Sequence, residues 1–400
     1  MSEAVIVATA RTPIGRANKG SLVDCRPDDL SALIIDAVLA KVPALDRALV
    51  EDVIWGCGQP AGEAGTNVAR VASLLAGVDA PGVTVNRYCS SSLQTIRMAA
   101  HAIKAGEGDV FVAGGVETVS RFMNGMADGG PANEKFSDAR GRSKTRSQGG
   151  QPSWTPPAGL PDVYIAMGQT AENVREIEGV TRQEMDEFSA QSQDRAVAAQ
   201  GNGFFEREII AVTTPDGTVV TKDDGPRAGT TVEKLATLKP VFRPDGEVTA
   251  GNACPLNDGA AAVVVMSDTK AGELGITPLA RIVASGVSAL NPEIMGLGPI
   301  EASRQALKRA GLTIDDIDLA EINEAFAAQA IPSAKHLGIP WEKLNVRGGA
   351  IALGHPFGMT GARIMTTLIN GLQTDGKRYG LETMCVGGGQ GMAMIVERLS

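Results

Sequence analysis

Hydrophobic positions along the chain recur with two different periods. Ala4–Ala8 (AVIVA) is an unbroken apolar run of strand character. Leu30–Val42 instead places apolar residues at 30, 33, 34, 37 and 38, the spacing of an amphipathic helix. Val53–Trp55 predicts a short strand and Asn67–Ala76 a helix. Val83–Val85 predicts the next strand. Leu93, Ile96, Ala99, Ala100 and Ile103 then mark a helix that ends near Gly106. Val110–Ala113 (VFVA) predicts a strand closed by Gly114 and Gly115. The βαβα order implies an α/β unit with a largely parallel central sheet.

The pattern fades over 121–161, which is rich in Gly, Pro, Ser, Asn and Arg. The stretch is too long for an ordinary connector and reads as an irregular excursion. Arg140, Arg142, Lys144 and Arg146 make it basic, most simply as a solvated surface. A subunit contact or a phosphate contact is the functional option for these four cations. Periodicity returns from Asp162. Thr181 and Glu184 form a capping-box pattern opening a helix to about Gln200. After a second irregular stretch, 213–250, Asp258–Met266 reads as a helix start running into a strand.

The C-terminal part repeats the opening pattern. Leu279–Ser285 predicts a strand, Ile300–Ala310 a helix stopped by Gly311, and Asp318–Ile322 a strand with helix from Asn323. A Gly-rich turn then leads to His355 and a helix over 360–372. Thr383–Val386 and Met392–Val396 predict the last strands, with Gly387–Gly391 between them. Each half holds a strand, a turn bearing one reactive side chain (Cys89 or His355) and a helix. Each ends in a strand entering glycines. This layout suggests a duplicated α/β domain with its active site where the halves meet.

Composition narrows the function. A chain of 400 residues suggests more than one domain. Net charge is −9 and aromatics are 4%, which argues against nucleic acid and anionic membrane as main partners. The five cysteines (Cys25, Cys57, Cys89, Cys254, Cys385) are odd in number, widely spread and without a CxxC pair. That predicts free thiols in a reducing compartment and no structural zinc. No signal-like N-terminus and no apolar window long enough to span a membrane is evident, so the cytoplasm is the default expectation.

Cys89, in NRYCSSS, lies between a strand and a helix. Free N–H groups and the helix dipole at such a turn favour a thiolate, the form that acts as a nucleophile. A buried cysteine can equally be an apolar filler. His355 sits between glycines in GGAIALGHPFG, where a substrate could approach closely, and imidazole suits proton transfer near neutral pH. Asn323 in INEAF is a candidate helix cap. Cys385 in MCVGGGQG is a candidate second acid/base.

Together with TAGNACPLNDGAAA at 249–262, AGGVETVS at 113–120 and RTPIG at 11–15, these segments resemble the thiolase family. The family comprises acetyl-CoA acetyltransferases and 3-ketoacyl-CoA thiolases. The resemblance implies a duplicated α/β fold with mixed central sheets in five αβαβα layers. It divides the chain into an N-terminal half, 1–120 completed by about 250–274, a loop domain, 121–249, and a C-terminal half, 275–400. It implies Cys89 as the acyl-accepting nucleophile, His355 as its base and Cys385 as the second acid/base. It gives Asn323 a water that forms one oxyanion hole with His355, and the N–H groups of Cys89 and Gly387 the other. Ping-pong exchange follows, with coenzyme A and acyl-CoA as substrates and no permanently bound cofactor or metal. Arg227 is implied near the nucleotide, and Cys254 and Met167 near the pantetheine and acyl thioester. A homodimer or homotetramer is also implied, with the 121–161 loop as the tetramer element.

Four positions depart from the family pattern: Ser92 for Gly, Cys254 for Ser, Arg347 for Asn, and Ala166 where short-chain biosynthetic members often have His. With YGLETMCVGGGQG, the last favours degradative thiolysis over condensation of two acetyl-CoA. GGGQG precedes a strand and not a helix, which argues against dinucleotide binding. The second cysteine argues against a decarboxylating ketoacyl synthase. Retention of Cys89, His355 and Cys385 argues against a silent acyl-CoA- or lipid-binding relative.

Overall fold

A computed structural model describes residues 2–122 and 130–400; part of the 121–161 stretch thus lies outside the described residues. Nine principal strands form one mixed sheet: β1 (Ala4–Arg11), β2 (Asp52–Gly56), β3 (Gly82–Val85), β4 (Val110–Thr118), β5 (Asn257–Ser267), β6 (Ala280–Ala289), β7 (Leu319–Ile322), β8 (Tyr379–Val386) and β9 (Gln390–Arg398). Their order is β7-β8-β9-β6-β1-β5-β4-β2-β3, and short Gly15–Arg16 adds to β5. The longer helices are α1 (Pro27–Ala40), α2 (Val68–Leu75), α3 (Ser91–Ala105), α4 (Ser137–Ser147), α5 (Met167–Glu178), α6 (Arg182–Gly201), α7 (Gly298–Ala310), α8 (Ala327–Leu337) and α9 (Thr360–Thr374).

The order is symmetric about its centre. Reading inward from one end gives β3-β2-β4-β5-β1. Reading inward from the other gives β7-β8-β9-β6, with Leu344 bridging in parallel to Ala320 beyond β7. Within the sheet register the halves join at Val5↔Arg281 and Ile6↔Ala280. In each half two antiparallel pairings flank the parallel ones, so the sheet is mixed and not largely parallel.

Alternation within strands assigns the layers. On β5, Val263 and Val265 face the central core, where α3 and α9 pack between the halves. Val264 and Met266 face the outer core under α1 and α2. Leu381, Ala393 and Ile395 face a second outer core with α7 and α8. Five layers result: helices, half-sheet, helices, half-sheet, helices.

Several expectations need correction. Gly114 and Gly115 do not close β4, which continues to Thr118. They are glycines because the backbone is crowded: a Cβ on Gly115 would lie 2.1 Å from the Gly358 carbonyl. Asp258 starts no helix. It lies inside β5 and accepts hydrogen bonds from Ser120. Asn323 is not a helix cap; α8 begins at Ala327 with Phe326 at its N-cap. The basic stretch is helical, as α4, and buries only Ala139. The capping box of Thr181 and Glu184 opens α6.

Candidate active site

The chemistry-bearing residues gather beyond the carboxyl ends of the parallel strands, the usual crevice of an α/β sheet. Cys89 follows β3 in a single 3₁₀ turn, Tyr88–Ser90, that runs into α3. Tyr88 is left-handed (φ 42°), a strained conformation for a bulky residue and one that clusters at functional sites. The turn is braced locally. Tyr88 N donates to Asn86 Oδ1 (2.8 Å), Arg87 N to Ser91 Oγ (2.9 Å), and Ser91 Oγ to the Tyr88 carbonyl (2.6 Å).

Burial pushes the Cys89 thiol up to about 11, although the N–H groups of Gly387 and of Cys89 itself point at the sulfur and pull the other way. The helix terminus therefore does not deliver a resting thiolate, because desolvation outweighs it. A base must take the proton.

His355 is buried and fixed at three points. Its backbone N–H donates to Asn257 Oδ1 (2.9 Å). Gly354, at φ 111°, must be glycine, since a Cβ there would meet the Asn257 amide at 2.6 Å. Thr360 Oγ1 donates to the Pro356 carbonyl (2.8 Å), so it accepts from His355 Nδ1–H (2.6 Å). This network assigns the tautomer and leaves Nε2 with its lone pair. Asn323 Nδ2 lies 3.4 Å from Nε2. Burial, reinforced by Arg363, lowers the imidazole to about 3, so the ring is neutral at physiological pH.

The two turns are tied to each other. Ser92 Oγ accepts from Ala362 N (2.9 Å), joining the first turns of α3 and α9. This explains the departure at 92: the serine links the helices that carry the two turns. Arg347 has an outlying role, pairing with Asp375 at 2.6 Å and lying over the Phe204 ring.

Cys385 is the penultimate residue of β8, fully buried, its thiol raised by burial and then by Cys89 and Cys254. Burial likewise raises the Cys254 thiol, with Cys89 next in effect. These three sulfurs form one group. Cys254, Met167 and Phe242 pack against the same outer core that contains Cys385. Gly387 lies beside Tyr88, in the loop joining β8 to β9. Arg227 is apart from this group, exposed in a surface loop. It is held by its own N–H to Gln193 Oε1 (2.8 Å) and lies close enough to Arg16 to repel it.

Two carboxylates escaped notice as functional residues. Glu117 accepts from Gly58 N (2.8 Å), Gln59 N (3.1 Å) and Gly358 N (2.8 Å), clamping two loops beside Cys89. Burial, against those donors, raises it to about 7. Glu324 accepts from Ser192 Oγ, Asn345 Nδ2 and Ile351 N, connecting the Asn323 segment to the turn before His355. The available signal was a lone acid inside the apolar run VFVAGGVETV. Among the described residues no group of acidic, His and Cys side chains could hold a metal. No described helix is long and apolar enough to cross a membrane.

Known proteins share this architecture. Residues 4–269 match the profile of the thiolase N-terminal domain and residues 276–398 that of the thiolase C-terminal domain. A β-ketoadipyl-CoA thiolase of Acinetobacter baylyi is 45% identical over 412 residues, covering all of both chains. A 3-ketoacyl-CoA thiolase of Vibrio vulnificus is 44% identical over 408 residues, again over both full lengths. The crystal structure of the Bacillus anthracis acetyl-CoA acetyltransferase superposes with a TM-score of 0.86 at 38% identity, covering 100% of this chain and 99% of that one. With both of its domains matched and its full length aligned to such relatives, this chain belongs to the thiolase family.

Proposed function

We propose that the protein is an acyltransferase that cleaves 3-ketoacyl-CoA with free coenzyme A, giving acetyl-CoA and a shortened acyl-CoA. The observation that carries this reading is a neutral thiol aimed at two backbone N–H groups, on a turn tied through Ser92 and Ala362 to the helix that follows a neutral imidazole of fixed tautomer. His355 Nε2 takes the Cys89 proton, and the sulfur attacks the 3-keto carbon. The N–H groups of Cys89 and Gly387 stabilise the oxyanion. The C2–C3 bond breaks, the acyl group stays on sulfur, and Cys385 protonates the acetyl-CoA enolate held near Asn323 and His355. Coenzyme A then takes the acyl group from Cys89.

Burial and then Arg227 disfavour the charge on Arg16, and a coenzyme A phosphate beside the pair would be attracted by both cations. Met167 and Cys254 would line the pantetheine path. The two α/β halves (1–120 with 250–274, and 275–400) would hold the chemistry, with the described part of the loop domain, 121–249, over it. Five free thiols suit the cytoplasm. Among the described residues strand β3 pairs on one side only, beside Leu74 (58% exposed) and Leu75 (57% exposed), a surface suited to a second copy. Light scattering should report a dimer or larger, and Leu75→Asp should shift it toward monomer; a monomeric parent protein would dismiss that assembly.

The decisive assay is cleavage of acetoacetyl-CoA and a longer 3-ketoacyl-CoA with added coenzyme A. Both should be consumed, with loss of essentially all activity in Cys89→Ala. Folded protein that cleaves neither, or a Cys89→Ala variant that still turns over, would refute the reading.

A further inference from the structure

Beside the nucleophile turn lies a cavity of about 640 Å³, lined by Tyr88, Asn86, Gln59, Arg140 and Tyr164 among others. It lies next to the nucleophile turn: its wall includes Tyr88, which precedes Cys89 and packs beside Gly387, and Gly58, which Glu117 binds. Its walls come from the nucleophile turn, the Gly58–Ala61 loop and α4. An acyl group leaving Cys89 in this direction would run between Tyr88 and α4.

The charges of α4 are not alike. Arg146 pairs with Glu176 (3.0 Å), and Arg142 donates to the Leu160 carbonyl and lies 4.0 Å from Glu293. These two brace the helix against the body. Arg140 is on the cavity wall, and its guanidinium has no ion pair or hydrogen bond among the described residues. Tyr164 is already engaged: its hydroxyl accepts from Asn133 N (3.1 Å) and its ring meets Phe136 edge-on. So the cavity presents one unpaired planar cation between a fixed tyrosine and polar side chains, in a protein of net charge −9.

A purely aliphatic chain gains nothing from such a wall. A guanidinium offers forked donors that match a carboxylate bidentately. We infer that Arg140 selects 3-ketoacyl-CoA substrates whose acyl chain ends in a carboxylate. This rests on the thiolysis proposed above and adds the substrate class. Arg140 is a specificity residue that touches the far end of the substrate and takes no part in bond breaking.

The test compares kcat/KM for 3-oxoadipyl-CoA and 3-oxohexanoyl-CoA, which share a six-carbon chain and differ at its end. The parent protein should favour the carboxylate-ended substrate at least tenfold. Arg140→Gln should lower that ratio by about tenfold or more, chiefly through KM, because one charge-assisted interaction is lost. Arg140→Lys should recover part of the ratio, which a merely structural role would not produce. A parent that prefers 3-oxohexanoyl-CoA, or a ratio unchanged in Arg140→Gln, overturns the inference while leaving thiolysis standing. A parent that cleaves neither substrate, nor acetoacetyl-CoA, overturns both.

Discussion

Replacing His355 with Ala should lower kcat/KM for thiolysis by about 10³- to 10⁴-fold, near the upper range for removing one acid/base group. The pH dependence should change as well. In the parent protein the thiol stays protonated up to about 11 and the imidazole stays neutral down to about 3. Neither group of the pair titrates between pH 6 and 9, so their contribution to kcat/KM should be level there. Without His355, thiolate forms only by ionisation to solvent. The residual rate should then rise about tenfold per pH unit toward 11. Initial rates at five or six pH values on both proteins distinguish the cases. A variant that keeps a level profile, or loses less than tenfold in rate, would show that another group takes the proton. Thr360→Val should give a weaker form of the same phenotype, because it frees the tautomer and leaves the base in place.

Much of this site was legible because strand, turn and helix could be read around single reactive residues. Cys89 and His355 stand out as lone nucleophile and lone base at such turns, and the halves repeat the device. What stayed hidden depends on distant partners. Glu117 draws its donors from residues 58–59 and from 358, on the other half of the molecule. The thiolate expectation failed for a related reason. Helix position is written in sequence, but the desolvation that overrides it comes from packing. Asp258 misled because an acid before small residues imitates a helix start, while its actual role is to receive Ser120 from a neighbouring segment. Helix α4 was illegible because it has almost no apolar face; ties such as Arg146 to Glu176 hold it instead.

Arg363→Met should destabilise the fold by about 3–5 kcal/mol, the usual cost of removing one partner from a buried ionic group. Arg363 lies on α9, 1% exposed, and faces Glu321 on β7 and Glu382 on β8, which are neighbours in the sheet register. After Glu321, Arg11 and Glu208 act on Arg363 more strongly than Glu382 does. Arg11 bonds both Glu208 (2.8 Å) and Asp223 (2.8 Å), a set with one negative charge in excess. Arg363 balances that excess only if Glu321 and Glu382 both keep their protons. Burial does hold them protonated, raising Glu321 to about 8 and Glu382 well above its ordinary value. The sign follows. A carboxyl raised in the folded state contributes stability that is complete below its unfolded value, near 4.5, and is lost as pH rises through about 8. In the parent, Arg363 eases that ionisation; in the variant nothing does. The deficit should therefore widen between pH 6 and pH 9 in urea unfolding. Adding Glu321→Gln and Glu382→Gln should narrow it, since no carboxyl then remains to ionise. Equal stability of parent and Arg363→Met at pH 9, or no recovery in the triple variant, would refute this account. Because Arg363 also helps keep His355 neutral, the same variant should raise the acid limb of the activity profile above about 3. The cluster beneath the site thus sets both the stability of the central layer and the readiness of the base.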